Sequence, residues 1–269
     1  MLILVYYVNM YYFEKIDGKR ILKSDFIKNA EAFFTTRDIC ICDKHQFDES
    51  KNFKILKQVQ NDKIFAIEYN KKLIADYLKI KPQDLISPTQ THSVNIDVAK
   101  ILQHDYPETD GLILTDKNIA IFLNFADCTP VILYDEKQNT GAVSHAGWRG
   151  TAGKISALTV EKMKNEFNSN PKDIIALIGP AIGFCCYDVG EEVFEKLSKS
   201  VSHFSGLYEI REGRIFVDLK NINKRQLEES GVEKIDVCPY CTVHNNDLFY
   251  SYRNENATTL RHSAVLKLI

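Results

Sequence analysis

The stretch Phe125–Gly150, FADCTPVILYDEKQNTGAVSHAGWRG, constrains this chain more than any other. Two apolar runs joined by a polar turn read as strand, turn, strand. Such a hairpin returns both of its ends to one rim. Cys128 sits at one end, in a tight Ala-Asp-Cys-Thr-Pro turn. His145 sits at the other, inside Ser-His-Ala-Gly-Trp-Arg-Gly, 17 residues further on. A thiol and an imidazole at one sheet edge suggest a reaction centre, and the rest of the chain reads as what completes it.

A chain of 269 residues is long for one domain but within reach of one large α+β domain. The 45% of hydrophobic residues suit a globular core. A formal net charge of -2 gives no electrostatic case for nucleic acid or an anionic membrane, though it leaves room for a local basic pocket. Seven cysteines, an odd number that includes adjacent Cys185 and Cys186, do not look like a secreted disulfide framework. A reducing, cytoplasmic compartment is expected. The apolar start MLILVYYVNMYYF lacks the basic region and cleavage site of a signal peptide and is too short to span a bilayer. It reads as a strand.

Along the chain, Asp17-Gly18 marks a hairpin turn, and Ala32–Thr36 a strand. The segment 40–52 is polar and carries Cys40, Cys42 and His45, a conceivable but unusually spaced zinc set. Phe53–Gln58 and Ile64–Glu68 read as strands, and Asn70 as the N-cap of a helix through Leu73, Ile74, Tyr77 and Leu78. Ile119–Phe125 reads as a buried strand. Thr151 opens an amphipathic helix with Ile155, Leu158, Met163 and Phe167 near one face. Ile174–Ile178 is a strand, Glu191–Ser198 a short helix, and Asp218 the N-cap of a helix to about Ser230. Ile235–Cys238, Leu248–Tyr252 and Ser263–Ile269 complete the strands. No linker or repeat divides the chain, so one domain with a mixed sheet and flanking helices is expected.

His92, also at a strand end, joins Cys128 and His145 as a possible third ligand, 36 residues before Cys128. Two imidazoles and one thiolate are a catalytic zinc set with one position open. Taken singly, each residue fits as well as a satisfied polar side chain or a small buried hydrophobe. Arg149 precedes the Thr151 helix and could hold phosphate, or could be a surface arginine in a tight turn. Arg37 is a second candidate for an anion. Cys186 and Tyr187, in the loop GFCCYDVG, could wall a substrate pocket or simply pack. Cys238-Pro-Tyr-Cys241 has the spacing of a redox pair or of half a zinc site.

Together these segments resemble the bacterial multicopper polyphenol oxidase (laccase-domain) family, associated with purine nucleoside phosphorylase activity. The likeness rests on Phe34-Thr-Thr-Arg37, Gln90-Thr-His92-Ser, Thr109-Asp-Gly111, Ala126-Asp-Cys-Thr-Pro130, His145-Ala-Gly-Trp-Arg-Gly150, Gly179-Pro180 through Cys186-Tyr187, Cys241-Thr242 and Phe249-Tyr-Ser-Tyr-Arg253. It runs from about residue 33 to the C-terminus. It implies a single α+β domain spanning 1–269, with a mixed β-sandwich-like core and outer helices. It implies zinc at His92, Cys128 and His145, and inorganic phosphate as co-substrate. The activities implied are phosphorolysis of adenosine, inosine, guanosine and methylthioadenosine, and adenosine deamination. Related members are linked to peptidoglycan editing. The substrate would be a small nucleoside and the chain a monomer or homodimer. Three features depart from the pattern. Asp38–Glu49 replaces a glycine-rich stretch, Leu260 stands in Thr-Leu-Arg where glycine is usual, and Cys238 is an additional cysteine.

Other functions compete. Copper phenol oxidation would use the same two-histidine, one-cysteine set, but seven histidines without a His-x-His pair do not suggest a multicopper cluster. A cysteine hydrolase or deamidase would use Cys128 as nucleophile and His145 as base, leaving His92 surplus. A non-catalytic binding protein of cell-wall metabolism is the last alternative.

Overall fold

Ala120–Phe125, Thr129–Asp135 and Thr140–Ala146 are buried at every position. Strands apolar on both faces must lie between two covering layers. The structure, a computed structural model, describes residues 10–42 and 57–269, without the side chains of 57–64. The expectations for residues 1–9, for His45 and for most of Phe53–Gln58 lie outside the described residues.

In chain order the strands begin with β1 (Tyr11–Ile16), β2 (Lys19–Ser24) and β3 (Ala30–Thr35), followed by helix α1 (Lys57–Leu78). Six strands then run from β4 (Leu85–Ile86) and β5 (Ile96–Val98) through β6 (Gly111–Leu114), β7 (Ala120–Phe125), β8 (Thr129–Asp135) and β9 (Thr140–Ala146). Next come α2 (Trp148–Ala152), α3 (Ile155–Phe167), β10 (Ile174–Ile178), β11 (Asp188–Val189) and α4 (Glu191–Ser198). The chain closes with β12 (Tyr208–Arg211), β13 (Arg214–Val217), α5 (Leu219–Glu229), β14 (Lys234–Val237) and β15 (His262–Leu268). The fold is α+β. One mixed sheet has the order β1-β2-β3-β15-β7-β4, a second has β14-β10-β8-β9-β6-β5, and β11-β13-β12 form a small third sheet.

The period-two alternation of the strands divides the core. Ile121, Leu123 and Phe125 of β7 meet Ile132, Val143 and Leu177 of the second sheet in a shared cluster. Val131 and Leu133 of β8 point the other way, onto Ile155, Val160 and Met163 of α3 and Leu227 of α5. Phe122 and Val265 face Ile74 and Leu78 of α1. The two large sheets are therefore sandwiched between helices. Fully burying one such side chain contributes about 1.5–3 kcal/mol.

The Asp17-Gly18 turn has φ of +49° and +78°, the left-handed pair that primed hairpin turns need. Three sequence expectations fail here. Ile64–Glu68 is not a strand, because α1 runs unbroken from Lys57 to Leu78. Ile67, Ile74 and Leu78 recur at helical spacing on its buried side, and this longer pattern outweighs a short β-branched run. Asn70 is accordingly no cap. Buried in mid-helix, it accepts from Lys19 Nζ at 2.6 Å and donates to the Cys40 carbonyl at 3.0 Å. Leu248–Tyr252 is not a strand either. The Leu248 and Phe249 amides both bond the Asn245 carbonyl at 3.0 Å, which closes turns. Buried Phe249 and Tyr250 anchor these turns and imitate a strand in sequence.

Pairing places Thr129 opposite Ala146, Gly111 opposite Ser144, and Ile178 opposite Val131 and Val237. One end of the second sheet thus gathers the segments around His92, Asp110, Cys128, His145, Gly179–Tyr187 and Cys238–His244. His262 lies at the matching end of the first sheet, opposite Phe125. Its ring is fully buried against Phe249, with Nδ1 unpartnered. Burial holds its pKa down at about 3, helped by Arg261 and Arg37, and the Pro180 carbonyl offsets this only in part. The unfolded chain takes up a proton below about pH 6.5 that the folded chain refuses, so stability falls as pH drops. From pH 6.5 to pH 5 the loss expected from this group is about 2 kcal/mol. Urea unfolding at both pH values should show that slope in the native chain and a flatter one in His262→Phe. Equal slopes would remove His262 as the cause.

Candidate metal centre

The local organiser is Asp110, a fully buried carboxylate just before β6. It accepts backbone N–H bonds from Thr91, His92 and Ser93 at 3.1, 3.0 and 2.7 Å, and the Ser93 hydroxyl at 2.7 Å. Its Oδ1 lies 2.7 Å from His145 Nδ1, and its carbonyl accepts the His145 amide at 2.7 Å. Burial alone would raise its pKa. Bonds from His145 and Ser93 outweigh that and hold it at about 2. A charge so deeply buried survives because every face of it meets a donor.

Two consequences follow for the imidazoles. His92 takes a left-handed backbone, φ +63°, and its amide bond to Asp110 keeps it there. His145 commits Nδ1 to Asp110, which leaves Nε2 for the space beside Cys128. The two rings meet edge to face with centroids 4.7 Å apart. Cys128 Sγ is 3.8 Å from His92 Nε2. One ligand atom from each of His92, Cys128 and His145 lies within 4.8 Å of the others. Zinc bond lengths imply about 3.6 Å between a sulfur and a nitrogen on one tetrahedral ion. The three donors therefore fit a divalent ion, and the carboxylate behind His145 is the usual outer partner of a ligating imidazole.

The electrostatics agree. Burial would raise the Cys128 thiol, but His145 and His92 bring it down to about 6. Burial would lower His145, but Cys128 and Asp110 raise it to about 9. Both shifts favour a thiolate facing an imidazolium. Gly147 makes the close approach possible: a Cβ there would fall 2.9 Å from Cys128 Sγ and 3.1 Å from His92 Cδ2. Asp127, at φ +82°, holds the other side of Cys128. Its carboxylate accepts the Thr242 hydroxyl at 2.6 Å and the Arg253 amide at 2.7 Å, and its carbonyl accepts the Ile182 amide at 2.9 Å.

The remaining candidates are placed differently. Arg149 does not precede a helix at Thr151. It lies inside the five-residue α2, exposed, with its guanidinium over the Trp148 ring at 4.2 Å. Lys154, left-handed at φ +62°, breaks the chain direction before α3 starts at Ile155. Arg37 lies elsewhere. Both terminal nitrogens bond Glu255 Oε1, at 2.8 and 2.7 Å, and the guanidinium covers Tyr250. It lines a cleft with Lys19, Asp38 and Cys40 that none of His92, Cys128 or His145 lines.

Tyr187 is half-buried near the centre. Burial and the charges of Cys128 and Asp127 raise its pKa, while Arg253 and Arg149 oppose them. Cys186 Sγ points to His244 Nε2 at 3.4 Å. Cys238 packs in the inter-sheet cluster, where burial pushes its thiol up to about 12, whereas Cys241 turns toward His244. The Cys40 and Cys42 sulfurs are 2.9 Å apart and buried. Asp110, Asp127 and His244 were missed as site residues by the sequence reading. The first two stand inside quoted motifs, where a turn aspartate looks like surface.

Residues 31–268 match the family described as multi-copper polyphenol oxidoreductase laccase. The chain belongs to this family. It is 33% identical over 215 residues to the purine nucleoside phosphorylase YlmD of Bacillus subtilis, covering 75% of this chain and 77% of that one. It is 32% identical over 251 residues to adenosine deaminase RL5 of an unknown prokaryotic organism, covering 86% and 92%. The crystal structure of YlmD from Geobacillus stearothermophilus superposes with a TM-score of 0.83 at 26% identity, covering 97% of this laccase-family chain and 99% of that one. Among the described residues no helix is long and apolar enough to cross a membrane.

Asp110→Asn keeps the size of the side chain but turns an N–H₂ toward donors and removes the charge beside His145. It should cost about 3 kcal/mol of stability, read as a shift of the urea midpoint at constant slope. A loss below about 0.5 kcal/mol would show that the network is peripheral.

Proposed function

We propose that this chain is a zinc-dependent purine nucleoside phosphorylase, acting on adenosine, inosine, guanosine and methylthioadenosine, with adenosine deamination as a second activity of the same centre. The observation that carries the proposal is the convergence of His92, Cys128 and His145 with Asp110 behind His145. The phosphorylases among the relatives support the first activity, and the relative named adenosine deaminase supports the second. Thiolate and imidazole would also accept copper, as the family description suggests. Phosphorolysis and deamination transfer no net electrons, so a redox-inert ion suffices.

Two imidazoles and a thiolate leave one position of a tetrahedral ion open, and an ion held there would supply Lewis-acid polarisation of a substrate atom. In phosphorolysis a phosphate oxygen bonds to the anomeric carbon of the ribose. The bond from that carbon to the purine nitrogen breaks, and its electron pair leaves with the base, which takes up a proton. Arg149, exposed over Trp148, is the proposed phosphate ligand. Burial, with the charge of Cys128, keeps the Tyr187 phenol protonated, so it offers a hydrogen bond to the departing base. Asp110 holds His145 in one tautomer and orientation. Arg37 is already paired with Glu255, which leaves it a weaker anion ligand. Cys128 as a nucleophile with His145 as base remains the second reading, favoured by the depressed thiol pKa.

The test is metal analysis with inosine and adenosine turnover, with and without phosphate, on one sample. At least one equivalent of zinc per chain and phosphate-dependent release of ribose 1-phosphate are expected. Cys128→Ala should lower turnover by on the order of 10²-fold or more, with the urea midpoint little changed. Full turnover by metal-free protein would sink the proposal, and an acyl adduct on Cys128 would replace it with the hydrolase reading.

A further inference from the structure

A second group of ligand-type side chains lies outside the centre just described. Cys185, Cys186, Cys241 and His244 bring three thiols and an imidazole within 4.8 Å of one another. Cys185 Sγ is 3.4 Å from His244 Nδ1, and Cys186 Sγ is 3.4 Å from His244 Nε2. The imidazole binds through one nitrogen, and whichever one it uses then lies 3.4 Å from a cysteine sulfur, close to the roughly 3.6 Å that sulfur and nitrogen keep on one tetrahedral zinc ion. We propose that the four residues form a second metal site, a closed three-thiolate, one-imidazole centre for a thiophilic divalent ion such as zinc.

Two loops build it, and both are already shaped for the purpose. The isolated pairing of Ala181 with Cys241 joins them, and the Thr242 amide bonds the Ala181 carbonyl at 3.0 Å. On one loop, the Cys186 and Tyr187 amides both bond the Gly183 carbonyl, at 2.9 and 3.0 Å, which curls Cys185 and Cys186 back over Gly183. On the other, Cys241-Thr-Val-His244 turns on itself through the Asn245 amide to the Cys241 carbonyl at 2.8 Å. That turn brings a thiol and an imidazole three residues apart to one side.

Backbone donors face the sulfur of Cys241. The Gly183 amide reaches it at 3.2 Å, and the amides of Val243 and His244 also face it. Amides directed at a sulfur are the outer-shell support that thiolate ligands use. Gly183 itself leaves no room for a side chain. A Cβ would sit 3.0 Å from Cys185 Sγ and 3.0 Å from Cys241 Cβ. Cys185 and His244 are exposed, and a cleft of about 460 Å³ lined by Cys185, Cys186 and Val243 opens beside them, so an ion can enter from solvent.

Three sulfurs and a nitrogen select zinc-like ions over oxygen-seeking ones and leave no position open. The site is therefore structural. It pins residues 183–187 to 241–244, and Tyr187, next to Cys186, is thereby fixed beside Cys128. It is a distinct site from His92, Cys128 and His145, and the proposal does not depend on theirs.

Pulsed alkylation of the reduced, chelator-stripped full chain tests it, with zinc added stepwise to two equivalents per chain and each cysteine peptide read by mass spectrometry. Zinc should slow alkylation of Cys185, Cys186 and Cys241 together, at least about tenfold. In Cys241→Ser the protection of Cys185 and Cys186 should vanish while Cys128 is still protected. Because the native chain alone gives the first readout, a variant that fails to fold does not rescue or defeat the proposal. Unchanged rates at the three cysteines with zinc present overturn it, as does a Cys185–Cys186 disulfide in the zinc-treated chain. Protection confined to Cys128 overturns this site and leaves the first intact. Protection confined to the other three does the reverse.

Discussion

A carboxylate without solvent is costly to keep ionised, and Asp110 is ionised and fully buried. The surrounding chain is arranged to meet that cost. Three successive amides, from Thr91 to Ser93, turn inward to it, and a left-handed residue at His92 lets them do so. Successive amides curved around an anion form a small nest of positive ends. The fifth donor, His145 Nδ1, arrives from β9, the strand next to β6. The loop before β5 and the end of β9 are therefore tied to one oxygen pair. The positions of His92 and His145 are consequences of this tie.

Asp127 does the same work on the opposite side. It binds the loop after β10 through Ile182, and the C-terminal turns through Thr242 and Arg253. Cys128 is held between the two aspartates. Every loop involved springs from the same end of the second sheet, whose strands are buried on both faces. Rigid sandwiched strands with polar loops at one end are a common way to place reactive groups without mobility in the scaffold. The substitution sensitivity of such a site sits in its aspartates and close-packed glycines as much as in its candidate ligands.

The hairpin from Cys128 to His145 was legible because period-two runs around a short polar turn admit one folding, and β8 and β9 pair across it residue by residue. The Asp17-Gly18 turn and the Asp218 cap were legible for equally local reasons, and Asp218 does accept the Asn221 amide. What failed was context. Asn70 looks like a cap wherever it stands, but buried contacts to Lys19 of β2 and to Cys40 in the segment after β3 decide its place. Asp110 and Asp127 look like turn residues, and nothing local tells the buried, five-fold bonded carboxylate of Asp110, or the half-buried one of Asp127, from a solvated one. His244 carries no motif. Only the pairing of Ala181 with Cys241 brings it to Cys185 and Cys186.

The exposure of the three central donors adds a direction. His145 is buried, Cys128 half-buried and His92 exposed. An ion shared among them would be backed by the Asp110 network and open on the His92 side. Gly147 lies against both Cys128 and His92, so the backbone there cannot carry a side chain into that opening. The residues that follow it are Trp148 and Arg149, stacked on each other at the surface. Tyr187 stands within electrostatic reach of both Cys128 and Arg149. On the proposed function these neighbours divide the labour by chemistry: a planar phenol for the base, a guanidinium for the anion, and His92, Cys128 and His145 to hold the ion. An exposed arginine held by an aromatic face retains its charge for an incoming anion. Arg37, already neutralised by Glu255, does not.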